Sequence, residues 1–182
     1  MPVATPAAAL GAACPDFALP DVFGALRRRD ELLTGKANLV VFFCNHCPYA
    51  QAVEDRLIAL HHALSAQGLT TTFICANDWI AYPDDAPEKL RARAEAKAYP
   101  FASLVDESQA VARAFDAACT PDPYLYDAAG KLVYRGRIDD NWKRPAQVTK
   151  HELREAIVAT LAGKPVSAVQ HPSLGCAIKW RD

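Results

Sequence analysis

Two cysteines separated by two residues, Cys44-Asn45-His46-Cys47, are the side chains of this 182-residue sequence best suited to chemistry. Such a pair can close a small disulfide ring and reopen it. A first cysteine placed at a helix N-terminus meets free backbone N–H groups and the positive end of the helix dipole, and both favour thiolate over thiol. Cys44 is therefore expected to be the nucleophile, with Cys47 one turn in as the resolving thiol and Pro48 in the first turn, where its missing N–H costs little. His46 extends the argument. An imidazolium or ring N–H beside the Cys44 sulfur stabilises the thiolate, and stabilising the reduced form makes a disulfide more oxidising.

Paired cysteines are also half of a zinc site, and structural zinc sites tend to show a second pair. The other cysteines, Cys14, Cys75, Cys119 and Cys176, are isolated. The reading from a different class is thus a non-enzymatic copper or zinc binder using Cys44, Cys47 and Cys176. A strand before the motif and a helix after it is the setting a redox pair requires, so redox chemistry is the first expectation, with no metal or cofactor.

Those elements are legible. Residues 39–43 are continuously apolar, as in a strand covered on both faces. Ala50, Val53, Leu57, Leu60 and Leu64 form one helical stripe, stopped by Gly68. Residues 69–76 read as a second strand, completing a βαβ unit. A helix is expected over 86–98 with Pro87 in its first turn, a short strand over 101–105, a short helix over 108–116, and a hairpin of strands 123–127 and 132–137 around Gly130. Thr149 and Glu152 have capping-box spacing before a last helix carrying Leu153, Ile157 and Leu161. The tail, 164–182, reads as irregular but packed back through Leu174, Ile178 and Trp180.

Composition narrows the setting. Twenty basic and 21 acidic residues are scattered along the chain, so no basic stripe points to nucleic acid or an anionic membrane. The first ten residues are apolar but lack Lys and Arg and contain Pro2 and Pro6, unlike a secretory signal. A cytoplasmic location is expected, where a structural disulfide framework is disfavoured.

The sequence resembles the thioredoxin superfamily, and more narrowly its peroxiredoxin-like branch related to the alkyl hydroperoxide reductase and thiol-specific antioxidant proteins. The resemblance rests on Cys14-Pro-Asp-Phe-Ala-Leu-Pro-Asp21, Val40-Val-Phe-Phe-Cys-Asn-His-Cys-Pro-Tyr49, Thr120-Pro-Asp-Pro-Tyr-Leu-Tyr-Asp127 and the closing Gly175-Cys-Ala-Ile-Lys-Trp180. It implies an α/β thioredoxin-like fold: a central mixed sheet flanked by helices, with an extended N-terminal lead-in and a packed C-terminal tail. One domain over 1–182 is expected, with its core at about 14–163. The resemblance also makes Pro121 the cis-proline facing Cys44, with Thr120 tuning the contact to substrate. The expected potential lies above the roughly −270 mV of thioredoxin.

Two departures from the family pattern separate disulfide exchange from peroxide reduction. In typical peroxiredoxins the attacking cysteine falls at Cys47, with a threonine at the position of Cys44 and an arginine just before the strand near Pro121. Here that arginine is replaced by Cys119-Thr120. Arg135 and Arg137 are candidate substitutes, and Arg137, Asp139 and Asp140 belong to a strand running back towards the site; a solvated strand end is the alternative. Asn38 stands where thioredoxins carry a buried acid, which makes Asp139 a candidate proton acceptor. Cys176 is either a relay thiol or an inert anchor beside Trp180. Cys119 is expected to pack, Cys75 to be buried and inert, and Cys14 to lie near a mobile terminus without a role. His61 and His62 are expected to be exposed.

The first expectation is a thiol–disulfide oxidoreductase acting on a disulfide-containing protein or a small disulfide, reduced in turn by a dithiol protein or glutathione. Thiol-dependent peroxidase at Cys47 is the alternative within the same fold.

Overall fold

The computed structural model describes residues 2–181. Its first elements are β1 (Val3–Ala4), a hairpin of β2 (Ala18–Pro20) and β3 (Leu26–Arg28), and the single turn α1 (Arg29–Leu32). β4 (Ala37–Phe42), α2 (Pro48–Leu64) and β5 (Leu69–Cys75) then form the βαβ unit, followed by α3 (Pro87–Ala96), β6 (Ala102–Val105) and α4 (Ala110–Ala114). Next come β7 (Cys119–Thr120), β8 (Asp122–Asp127), β9 (Leu132–Arg135), α5 (Glu152–Leu161) and β10 (Leu174–Ala177).

The central sheet has the order β6-β5-β4-β8-β9. β4 runs parallel to β5, with Val40 opposite Thr72, and antiparallel to β8, with Val40 opposite Tyr124. Every residue of β4 is buried, and alternation along the strand sends its side chains to two different cores. Leu39 and Val41 meet Val53 and Leu57 of α2 and Leu153 and Ile157 of α5. Val40 and Phe42 meet Phe17, Leu19, Ala112 and Phe115 on the other face. The apolar run and the helical stripe are thus two sides of one packing arrangement that fixes where β4 ends and α2 begins. Gly68, with φ +110°, makes the left-handed turn between α2 and β5. Among the described residues no helix is long and apolar enough to cross a membrane.

Several expectations are corrected. The tail is not irregular throughout: β10 is the middle strand of a second sheet, β1-β10-β7. Thr149 does not cap α5. His151 occupies the N-cap position, and Thr149 instead donates its N–H to Asp140 at 2.9 Å. The strand expected to reach 137 stops at Arg135, because the tail captures the backbone beyond: Gln170 accepts the Arg135 N–H and His171 the Arg137 N–H. Cys14 is buried rather than loose. His61 is partly buried against Phe101, whereas His62 is exposed.

Candidate active site

β4 delivers the motif and α2 receives it. After Phe43, whose N–H bonds Ile74 O and extends the sheet by one residue, the chain turns through Cys44, Asn45 and His46. Pro48 takes the first helical position, where its fixed φ suits the helix and no N–H is lost. Cys47 is therefore the N-cap of α2, and Cys44 lies three residues before that cap. This reverses the expectation that Cys44 would sit on the dipole; Pro48 itself carried the signal.

The turn is held by a residue that sequence reasoning missed. Asp85, 1% exposed, accepts the N–H groups of Asn45 (2.7 Å) and His46 (3.3 Å), the Asn77 side-chain amide (2.8 Å) and His46 Nδ1 (2.5 Å). Asn45 donates its amide to Asp84 O, and Gln51 donates to Asn45 O. Asp85 comes from the segment between β5 and α3, and the only cue in the sequence was a pair of acids, Asp84-Asp85, ahead of a proline-started helix.

Across the turn stands Thr120, whose peptide bond to Pro121 is cis. The Cys44 sulfur is 3.1 Å from Thr120 Oγ1, and the Cys47 thiol donates to Thr120 O at 3.0 Å. β7 pairs antiparallel with β10, setting Cys176 opposite Thr120 and Ala177 opposite Cys119. Cys44 and Cys47 have no exposed surface, whereas Cys176 is partly exposed. A cavity of about 120 Å³ abuts this ensemble, with Tyr49, Val53, Pro121, Ser173 and Leu174 in its wall.

The neighbours divide the pair electrostatically. Cys47 is held well below the ordinary thiol range, first by hydrogen bonding from the Cys44 thiol; burial opposes this, and the Ala50 N–H, the Cys176 thiol and the Thr120 hydroxyl add to it. Its 3.0 Å contact with the Thr120 carbonyl works against ionisation. Cys44 is pushed up because it gives that hydrogen bond, because it is buried and because the Asp85 charge faces it. Thus one proton leaves the pair readily and the second is held, with the charge on Cys47. Burial, first, and nearby negative charge push Cys75 and Cys119 up, and burial with the neighbouring Cys47 raises Cys176 to about 11.

Other expected site residues lie elsewhere. A His46 ring nitrogen is within 4.8 Å of the Cys44 sulfur, but its hydrogen bond goes to Asp85 and its ring stacks on Tyr82. It positions the turn rather than stabilising a Cys44 thiolate. Asp139 is ion-paired with Arg56 and Arg137 with Glu152, so neither is brought to the sulfurs. Arg135 is buried against Asp122 at 2.8 Å. Asn38 binds Gly35 and Asp127 O at the far end of β4. The metal alternative changes composition: among the described residues the clustered ligand atoms are those of Cys44, His46 and Asp85, without Cys176. Four protein donors already satisfy Asp85, which accounts for this carboxylate without an ion.

The profile of the AhpC/TSA family matches residues 10–135. No curated protein matches the chain. Among solved structures, an uncharacterized conserved protein from Geobacillus kaustophilus is 41% identical over 100% of this chain and 97% of its own, with a TM-score of 0.94. A hypothetical protein from Sinorhizobium meliloti 1021 is 40% identical over 98% of each chain, with a TM-score of 0.92. The thioredoxin domain of a thiol-disulfide oxidoreductase from Bacteroides vulgatus, 19% identical, covers 71% of this chain and 89% of its own at a TM-score of 0.60, a likeness of fold alone.

Proposed function

The chain belongs to the AhpC/TSA family and has a thioredoxin-like fold, and from that premise we propose that it is a thiol–disulfide oxidoreductase cycling between a dithiol and a Cys44–Cys47 disulfide. The observation that carries this reading is the placement of two buried cysteine sulfurs on the turn into α2, Cys47 as its N-cap and both within hydrogen-bond distance of Thr120. In this reading the charge lies on Cys47, which makes Cys47 the nucleophile and Cys44 the resolving thiol. The Cys47 thiolate attacks one sulfur of a substrate disulfide; that S–S bond breaks, a mixed disulfide forms on Cys47, and the other substrate sulfur leaves as a thiolate. Cys44 then gives up its proton and attacks the Cys47 sulfur, closing the internal disulfide and releasing the second substrate thiolate. Two electrons pass from the protein pair to the substrate. The closed-off sulfurs favour a small disulfide over a folded protein, with the cavity beside Pro121 as its approach.

Reduction of peroxide is the second reading, favoured by one observation: Cys47, the position of the peroxide-attacking cysteine in the family, is the N-cap of α2. Against it, Arg56, Arg135 and Arg137 are each engaged by a carboxylate rather than held at the sulfurs.

Parallel single turnovers of the reduced protein with glutathione disulfide and with hydrogen peroxide test the choice. Disulfide exchange should yield two glutathione thiols per protein, and the Cys44→Ser, Cys176→Ser double variant should stop as a mixed disulfide on Cys47. A sulfenate on Cys47, formed far faster than at an unassisted thiol while glutathione disulfide leaves the pair reduced, would put peroxide reduction first.

A further inference from the structure

The second sheet brings a third sulfur to the pair. β10 lies between β1 and β7 and is fastened along its length: Thr5 donates its N–H to Ser173 O, Ser173 donates its hydroxyl to Pro121 O at 2.7 Å, and Ile178 donates its N–H to Ala118 O. Further on, Asn77 accepts the Lys179 N–H and Gln109 the Arg181 N–H. Gly175 lets the strand come this close. A Cβ there would stand 2.0 Å from Thr120 O and 2.6 Å from Thr120 C, which no side chain tolerates. The next residue, Cys176, is thereby set opposite Thr120, whose carbonyl accepts from the Cys47 thiol at 3.0 Å, and the two cysteines act on each other's ionisation. Cys47 thus has Cys44 in its own turn and Cys176 across Thr120, and of the three sulfurs only that of Cys176 belongs to a residue with exposed surface.

We propose that Cys176 is a third redox cysteine, the port through which an external thiol reduces the buried pair. The proposal rests on the Cys44–Cys47 cycle described above. Starting from that disulfide, the Cys176 thiol loses its proton to solvent and attacks the Cys47 sulfur. The Cys44–Cys47 bond breaks, a Cys47–Cys176 bond forms, and Cys44 leaves as a thiolate that takes up a proton. This exchange neither gains nor loses electrons. A donor thiolate, such as glutathione, next attacks the sulfur of Cys176; Cys47 leaves as the thiolate its surroundings favour, and low-pKa thiols leave fastest. A second donor thiol attacks the donor sulfur of that mixed disulfide, forming oxidised donor and freeing Cys176. In all, two donor thiols supply the two electrons.

The test oxidises reduced protein with one equivalent of diamide, maps the disulfides, and then times reduction by glutathione. Trypsin leaves Cys44 and Cys47 together in peptide 37–56 and Cys176 in peptide 155–179, so a Cys47–Cys176 bond is read as a cross-link between the two. Wild type should show the cross-link in exchange with the Cys44–Cys47 disulfide, and Cys44→Ser should show it alone. Cys176→Ser should form only Cys44–Cys47 and be reduced by glutathione at least tenfold more slowly than wild type. Gly175→Ala, which keeps all three thiols but displaces β10, should lose the cross-link and slow similarly. Absence of the cross-link from both wild type and Cys44→Ser would overturn the proposal, and so would a cross-link accompanied by wild-type reduction of Cys176→Ser. In either case a Cys44–Cys47 disulfide that still forms leaves the oxidoreductase reading standing, whereas its failure to form in Cys176→Ser removes that reading itself.

Discussion

The first turn of α2 and the β7–β8 junction face each other across Thr120, and each carries a buried thiol. Cys47 and Cys119 are equally closed off from solvent, yet one is brought down and the other pushed up. The difference lies in their donors. Cys47 has the Cys44 and Cys176 thiols, the Thr120 hydroxyl and the Ala50 N–H around it. The Cys119 sulfur makes only a 3.8 Å contact to Pro121 O, with the charges of Asp122 and Cys47 nearby. Arg135 is bound to Asp122 and lies over the Tyr124 ring, and its charge opposes the rise at Cys119 without overcoming it. Desolvation without donors makes a thiol inert, and donors at a helix N-terminus make it reactive.

The contrast breaks most visibly at the cysteines themselves. Cys47→Ser should abolish dithiol–disulfide cycling, while Cys119→Ser should leave it within about twofold of wild type, read as turnover with glutathione disulfide. The next effect belongs to the junction. Arg135→Met strands the Asp122 carboxylate in a dry site and should cost about 3–5 kcal/mol in urea unfolding, with Cys47 ionisation unmoved.

Asp85→Asn moves the other region: losing a buried carboxylate that accepts four hydrogen bonds should cost about 2–4 kcal/mol. Removing its negative charge should also bring Cys44 down, so that the second proton leaves the pair at lower pH in a thiol titration. Stability should carry the same asymmetry. A thiol whose native pKa is depressed contributes stability that is fully present above its unfolded value, about 8.5, and lost as pH falls through the folded value. The stability of reduced wild type relative to Cys47→Ser should therefore grow between about pH 5 and pH 8. The smallest effect is expected from Thr120→Val, which removes one hydroxyl worth about 1 kcal/mol; in an ultraviolet thiolate titration the Cys47 thiolate should form at slightly higher pH.

What was legible in the sequence divides along the same line. The apolar run of β4 and the stripe of α2 are periodic because one strand and one helix bury them, so the fold and the place of the Cys pair could be read directly. The Thr120–Pro121 segment was recognisable by resemblance. The distribution of charge was not, because it depends on which residue caps α2 and on partners distant in sequence. Pro48 sits in the first turn as expected, but the helix is capped by Cys47, a turn later than the expectation that put its start at Cys44. Asp85 and Cys176 reach the pair through a loop and a short strand whose paths no spacing encodes. The Thr149–Glu152 pattern shows the converse: correct spacing for a cap, overridden when Asp140 captured the threonine.

The central claim is that the reduced pair carries its charge on Cys47, and ultraviolet thiolate absorbance tests it without requiring a reagent to reach the buried sulfurs. Titrated with pH, reduced wild type should hold one thiolate well below the free-thiol value of about 8.5, and Cys47→Ser should lack it. Loss of that thiolate in Cys44→Ser, with its survival in Cys47→Ser, would contradict the account and return the nucleophile to Cys44.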